Sequence, residues 1–127
     1  MIKKVAFFAH PTRDMEKMKQ FYGEVLGLPN TASYDTVWAE FDTPDGKSIA
    51  LDGYSPQFSD ETRAYLALET DDIEAEVEKL RAAGTPIAKE IWTNRTPEGV
   101  EVCKMAIVVD PEGHPVMLHQ IAPERDT

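Results

Sequence analysis

The 127-residue chain has a single cysteine, only 13 basic residues against 23 acidic ones, and no long apolar run. Each scarcity excludes something. One cysteine cannot build an internal disulfide framework, so the cytoplasm is the expected compartment. No apolar stretch exceeds five residues; the one nearest the start, Val5 to Ala9, is far shorter than the roughly 20 residues that span a bilayer. It follows Lys3 and Lys4 but runs into Pro11 rather than a small-residue cleavage site, so neither a membrane span nor a secretory leader is expected. A net charge of −10 leaves no basic face for phosphates and argues against nucleic acid as a partner. That acidity serves solubility, and it also suits a cationic ligand. A hydrophobic content of 42% in a chain of this length supports one domain, residues 1–127, with a real core.

What is present is a repeat. Thr43-Pro44-Asp45-Gly46-Lys47-Ser48-Ile49-Ala50-Leu51 returns, 67 residues later and without a gap, as Asp110-Pro111-Glu112-Gly113-His114-Pro115-Val116-Met117-Leu118. Proline presets φ at the second position of each four-residue turn, and glycine takes the left-handed conformation at its end. Strand-like residues flank both turns, which predicts two β-hairpins. Alternation then puts Ile49 and Leu51 on one face and Ala50 and Asp52 on the other. Val116 with Leu118, and Met117 with His119, repeat that division.

A strand and a helix precede each hairpin. Residues 3–10 form the first strand. Asp14 opens a helix whose stripe is Met15, Met18, Tyr22 and Val25, with Gly27 as its stop. In the second half, residues 64–70 form a strand. Asp71-Asp72-Ile73-Glu74 is a helix start with Asp71 as the capping side chain. Ile73, Val77 and Leu80 are the stripe, and Gly84 ends the helix. Middle strands fall at 30–34 and 37–42, and again at 87–92 and 102–109. The second half carries about ten extra residues around Trp92 to Glu101, a length of insertion that ordinarily sits in a loop. Each half therefore reads β-α-β-β-β, module one about 1–54 and module two about 63–121. The predicted class is α+β, two tandem βαβββ modules forming a curved mixed sheet around a cavity, with helices on the outside.

Asp14-Met15…Phe21-Tyr22…Val25-Leu26-Gly27-Leu28, then Glu69-Thr70-Asp71-Asp72-Ile73…Leu80…Gly84, then Val109-Asp110-Pro111-Glu112-Gly113…Leu118 resemble, in this order and with the duplication, the vicinal oxygen chelate superfamily (the glyoxalase/bleomycin-resistance/dioxygenase group). The resemblance covers nearly the whole chain. It implies a divalent metal held by His, Glu or Gln from the first and last strands of each half, and a homodimer. Carried over residue by residue, the ligand positions are Phe7 and Tyr65 on the first strands and Ala50 and Met117 on the last. None is an ordinary donor for zinc, manganese, iron or nickel. Shifting the first-strand alignment reaches Val5, Ala6, Phe8 or Ala9 and restores none. No metal and no other cofactor is therefore expected, which sets glyoxalase I and extradiol dioxygenase chemistry aside.

Several polar groups share the face of those positions. Asp52 and His119 lie one step beyond Ala50 and Met117, and Glu69 lies two steps beyond Tyr65. They can be read as a displaced metal site. They can also be read as a His119 general base oriented by Glu69, suited to abstracting a proton beside a carbonyl, or as solvated strand ends for Asp52 and Glu69 with a partly buried His119. His10 is expected to face the helix layer, and His114 to be exposed. Cys103, Met105 and Ile107 alternate on one face. Cys103 can pack inertly or react as a thiolate, although no adjacent base is evident in the sequence. Trp38 is expected beside Phe7, Tyr65 and Met117, where these residues either line a pocket or fill a core. The expectation is a metal-free, cytoplasmic, glyoxalase-like protein that binds a small organic molecule in an apolar cavity through Phe7, Trp38, Ala50, Asp52, Tyr65, Cys103, Met105 and Met117. The alternatives are a lyase, isomerase or dioxygenase with a displaced metal, and a resistance-type protein that sequesters a cationic antibiotic.

Overall fold

The computed structural model describes residues 1–57 and 63–125. Eight strands and two helices follow the chain as β1 (Ile2–Pro11), α1 (Met15–Gln20), β2 (Asn30–Tyr34), β3 (Trp38–Asp42), β4 (Ser48–Asp52), β5 (Tyr65–Thr70), α2 (Ile73–Ala82), β6 (Ile87–Arg95), β7 (Glu101–Val109) and β8 (Pro115–Ile121). This is the α+β class, with βαβββ occurring twice. The chain divides into two compact units, Phe7–Tyr65 and Met1–Ala6 with Leu66–Thr127. Strand β1 thus contributes residues 7–11 to the first unit and residues 2–6 to the second. Among the described residues, no helix is long and apolar enough to cross a membrane.

In the first unit the strands lie in the order β2-β3-β4-β1. The hairpin pairs are antiparallel, and β1 runs parallel to β4 with Ala9 opposite Ala50. In the second unit the order is β6-β7-β8-β5, again with antiparallel hairpins and a parallel closing pair that sets Ala67 opposite Met117. The two turns close identically. Gly46 and Gly113 N–H donate to the Thr43 and Asp110 carbonyls, and both glycines have φ near +85° (83° and 90°), a region a side chain would strain. The same turn occurs a third time. Thr96-Pro97-Glu98-Gly99 joins β6 to β7, with Gly99 at φ 90° and its N–H on the Thr96 carbonyl. The extra residues therefore do not form a loop as expected. They lengthen a hairpin, so that β6 and β7 run nine residues each, whereas β2 and β3 run five.

Each helix packs its stripe on one face of its own sheet. Met15, Ala39, Phe41 and Leu51 are buried together, with Met18, Tyr22 and Leu28 against them. Ile73, Val77, Ala106, Val108 and Leu118 form the other core. Burial of such side chains supplies most of the stabilisation, at about 1.5–3 kcal/mol each. Two details differ from the sequence reading. The cap of α2 is Asp72, whose carboxylate accepts from Ala75 N–H at 3.1 Å, whereas Asp71 pairs with the amino group of Met1. Asp14 caps α1 in the equivalent way, accepting from Lys17 N–H. After Gln20 the helix widens to a π-helical turn, Phe21–Val25, closed by Leu26 N–H on the Phe21 carbonyl. The wider turn rotates Val25 off the stripe, and it is exposed.

Candidate functional site

The face of each sheet opposite its helix collects the residues singled out by alternation. In the first unit, pairing puts Ala9, Ala50 and Glu40 on that face, along with Trp38 and Asp52. Phe7 meets Trp38 edge to face, with centroids 5.4 Å apart. His10 lies on the opposite side, stacked on Tyr22 of the helix layer.

Asp52 is not a solvated strand end; it is only 3% exposed. Its carboxylate accepts from Tyr54 N–H at 2.9 Å, Ser55 N–H at 3.0 Å, Ser55 Oγ at 2.5 Å and the Tyr65 hydroxyl at 2.9 Å. Burial, and then the charge of Asp52, push the Tyr65 phenol well above its ordinary range, so it stays a hydrogen-bond donor. A carboxylate with four donors on it is a structural knot tying the end of β4 to the start of β5. An open groove of about 580 Å³ also lies in this unit, lined by Glu16, Lys17, Lys19, Glu24 and Asn30 among others. It holds none of the candidate residues, and its lining mixes two acidic with two basic side chains.

In the second unit the corresponding face is built from Ala67, Met105, Ile107 and Met117, with Cys103 at one end. Register adds Trp92 opposite Met105 and Asn94 opposite Cys103. Glu69 sits opposite His119 and is buried, 7% exposed, again unlike a solvated strand end. One Glu69 oxygen meets His119 Nδ1 at 2.6 Å; the other accepts from Ile121 N–H at 2.9 Å. Cys103, itself buried, lies on the same face as the His119 ring and is among the groups that act on it. Asn94 Nδ2 approaches the Cys103 sulfur at 3.5 Å and donates to the Met105 sulfur at 3.1 Å. Cys103 therefore does have an adjacent imidazole. The sequence separation hides it, because antiparallel register makes Cys103 and His119 diagonal neighbours on β7 and β8.

Burial alone would lower the His119 pKa, but hydrogen bonds to Cys103 and Glu69 outweigh it and raise the ring to about 9. Burial would likewise raise the Glu69 pKa, yet the bonds from His119 and from Ile121 N–H hold it below the usual carboxylate range. At neutral pH the pair is thus imidazolium and carboxylate. In that form the ring donates a hydrogen bond, and it serves as a base once its own proton has passed on.

The family's metal does not fit these residues. Phe7 and Ala50 have no lone pair, Met117 offers only a thioether, and the Tyr65 hydroxyl is spent on Asp52. In the displaced set, both oxygens of Glu69 and those of Asp52 accept hydrogen bonds. Among the described residues, no group of three or more His, Cys, Asp or Glu side chains is arranged to hold an ion.

A duplicated βαβββ chain with one helix on each four-stranded sheet defines a glyoxalase-like class of protein. The chain belongs to the Glyoxalase/Bleomycin resistance protein/Dioxygenase superfamily, whose family model matches residues 4–118. It resembles a superfamily member from Vibrio splendidus 12B01 at 19% identity, over 96% of this chain and 100% of that one, with a TM-score of 0.70. A variant of Streptomyces coelicolor methylmalonyl-CoA epimerase in complex with 2-nitronate-propionyl-CoA matches at 16% identity, over 97% of each chain, with a TM-score of 0.70. The Mn(II)-bound glyoxalase from Novosphingobium aromaticivorans matches at 22% identity, over 94% of this chain and 39% of that one, with a TM-score of 0.65. At such identities the likeness is one of fold. No curated protein matches the chain.

Proposed function

We propose that this chain binds a small, flat, largely apolar organic molecule, without a transition metal, against the helix-free face of its second unit. The observation that carries the reading is the buried Glu69–His119 ion pair, 2.6 Å across, set among Ala67, Met105, Ile107 and Met117. Burying charge is expensive, and an apolar pair of the same volume is often at least as stable. The helix side has its own core around Ile73 and Leu118, and Ala67, Cys103, Met105 and Met117 on the helix-free side are buried as well. A paired charge on a sulfur-rich apolar face is what a ligand site needs. Thioether and aromatic contacts hold the molecule by area, while one or two donors orient it. His119 Nε2 and Asn94 Nδ2, whose sulfur neighbours are weak acceptors that a ligand oxygen displaces, are those donors, and they suit a ligand with a single acceptor oxygen. The apolar Phe7–Trp38 pair gives the first unit a similar surface.

The donor chemistry of Phe7, Ala50, Tyr65 and Met117 supports a site without the family's usual metal. Two measurements test the reading. Titration with acetophenone, a flat apolar molecule with one carbonyl oxygen, should quench tryptophan fluorescence saturably, and His119→Gln should weaken that binding about tenfold. Elemental analysis of protein purified without chelator should find less than stoichiometric zinc, manganese, iron and nickel. A stoichiometric ion, or no saturable response, overturns it. Salt-sensitive binding of a cationic compound instead would favour the sequestering alternative.

A further inference from the structure

The second unit carries a thiol, an imidazole and a carboxylate in series, of which the small-molecule reading uses only the last two. Register makes the buried Cys103 a diagonal neighbour of His119 on one face of β7 and β8, the sulfur is among the groups that act on the ring, and His119 Nδ1 is held by Glu69 at 2.6 Å. With Nδ1 occupied, Nε2 is the ring nitrogen left for the sulfur. Glu69 is itself fixed by Ile121 N–H at 2.9 Å, so the carboxylate cannot turn away. Asn94 Nδ2 adds a second N–H near the sulfur, at 3.5 Å. Three strands, β5, β7 and β8, thus deliver nucleophile, base and orienting group to one spot, which is the geometry of an activated cysteine.

We propose that Cys103, His119 and Glu69 form a thiol–imidazole–carboxylate relay in which the Cys103 sulfur attacks a small electrophilic carbon beside a carbonyl. In the reacting form the thiol proton rests on the His119 ring and Glu69 balances its charge. With an α-halo carbonyl compound, the sulfur's electron pair forms the new S–C bond, the C–halogen bond breaks, and halide leaves with its electron pair. The imidazolium keeps the proton and passes it to solvent. Few other charges face this spot. Lys4 of β1 acts on Glu69 from a distance, Lys89 of β6 stacks on Trp92 at 4.1 Å, and Lys104 pairs with Glu101. Helix α2 packs on the opposite face.

The probe is iodoacetamide, followed by intact mass. The chain has one cysteine, so a carbamidomethyl group on sulfur reports Cys103 alone. A cysteine that merely packs and a cysteine in a relay predict opposite signs. Breaking the buried pair loosens local structure and exposes a packed thiol, so His119→Gln and Glu69→Gln would then alkylate faster. A relay loses its base or its orienting group, so the rate at pH 7 should fall at least tenfold in His119→Gln and several-fold in Glu69→Gln. Near-UV circular dichroism verifies that each variant keeps its packing. The wild-type protein needs no variant to fail the test: if it resists alkylation when native and reacts once unfolded in urea, the proposal is overturned. Variants that react as fast as wild type or faster overturn it too. The assay uses no acetophenone, so its failure leaves the ligand-binding reading to its own titration.

Discussion

At the residue scale, the Glu69–His119 pair dominates the pH behaviour. The folded ring titrates at about 9 against an ordinary 6.5. A raised imidazole pKa stabilises the fold fully below about 6.5, and the contribution disappears as pH rises through about 9. Glu69 is shifted the other way, downward, so its contribution is present above the ordinary carboxylate value and is lost as pH falls through its depressed one. Urea midpoints should therefore fall between pH 6.5 and 9 by an amount on the order of 1–3 kcal/mol. In His119→Gln that alkaline decline should flatten. A wild-type midpoint constant across this window would show that the ring is not held charged. The sequence carried the parity of these residues, because period-two alternation needs only a correct strand. It did not carry their partners. Whether Asp52 is solvated or tied by Ser55 and Tyr65, and whether Cys103 meets an imidazole, depends on register and on contacts between segments far apart in the chain.

At the element scale, helix starts separate two adjacent aspartates that look equivalent in sequence. Asp72 caps α2 through Ala75 N–H, as Asp14 caps α1 through Lys17 N–H. Asp71 lies one residue outside the cap and its ion pair with Met1 is exposed. Asp72→Ala should cost about 1 kcal/mol of stability in urea unfolding, and Asp71→Ala should leave the midpoint nearly unchanged. Equal costs would put the cap in the wrong place. The choice was within reach of the sequence, since aligning the halves on Asp14-Met15 and Asp72-Ile73 already equates Asp14 with Asp72. The β6–β7 hairpin was likewise legible from Thr96-Pro97-Glu98-Gly99, a third copy of the turn pattern, and accepting that turn would have put Trp92 and Asn94 on the face of Met105 and Cys103. The π-turn after Gln20 was not legible. An i→i+5 bond leaves no compositional mark, and the 3.6-residue period wrongly keeps Val25 on the stripe.

At the scale of the whole molecule, duplication made the fold readable. The turn at Thr43 and the turn at Asp110 fix two hairpins, and the helix starts 58 residues apart, at Asp14 and Asp72, fix what precedes them. Composition also sets a property that no single contact does. With 23 acidic residues against 13 basic ones, about ten carboxylates have no cation to match. The compact state holds these charges closer together than the unfolded chain does, so self-repulsion works against folding. Salt at about 0.5 M screens charges beyond a few ångströms. It also weakens exposed pairs such as Arg81–Glu90, but such pairs contribute little. The buried Glu69–His119 pair is shielded from the salt. The unmatched charge should therefore win, and the thermal midpoint at pH 7 should rise by several degrees between 10 mM and 0.5 M sodium chloride. A midpoint that falls with salt would mean that surface ion pairs, rather than excess negative charge, control the stability of this chain.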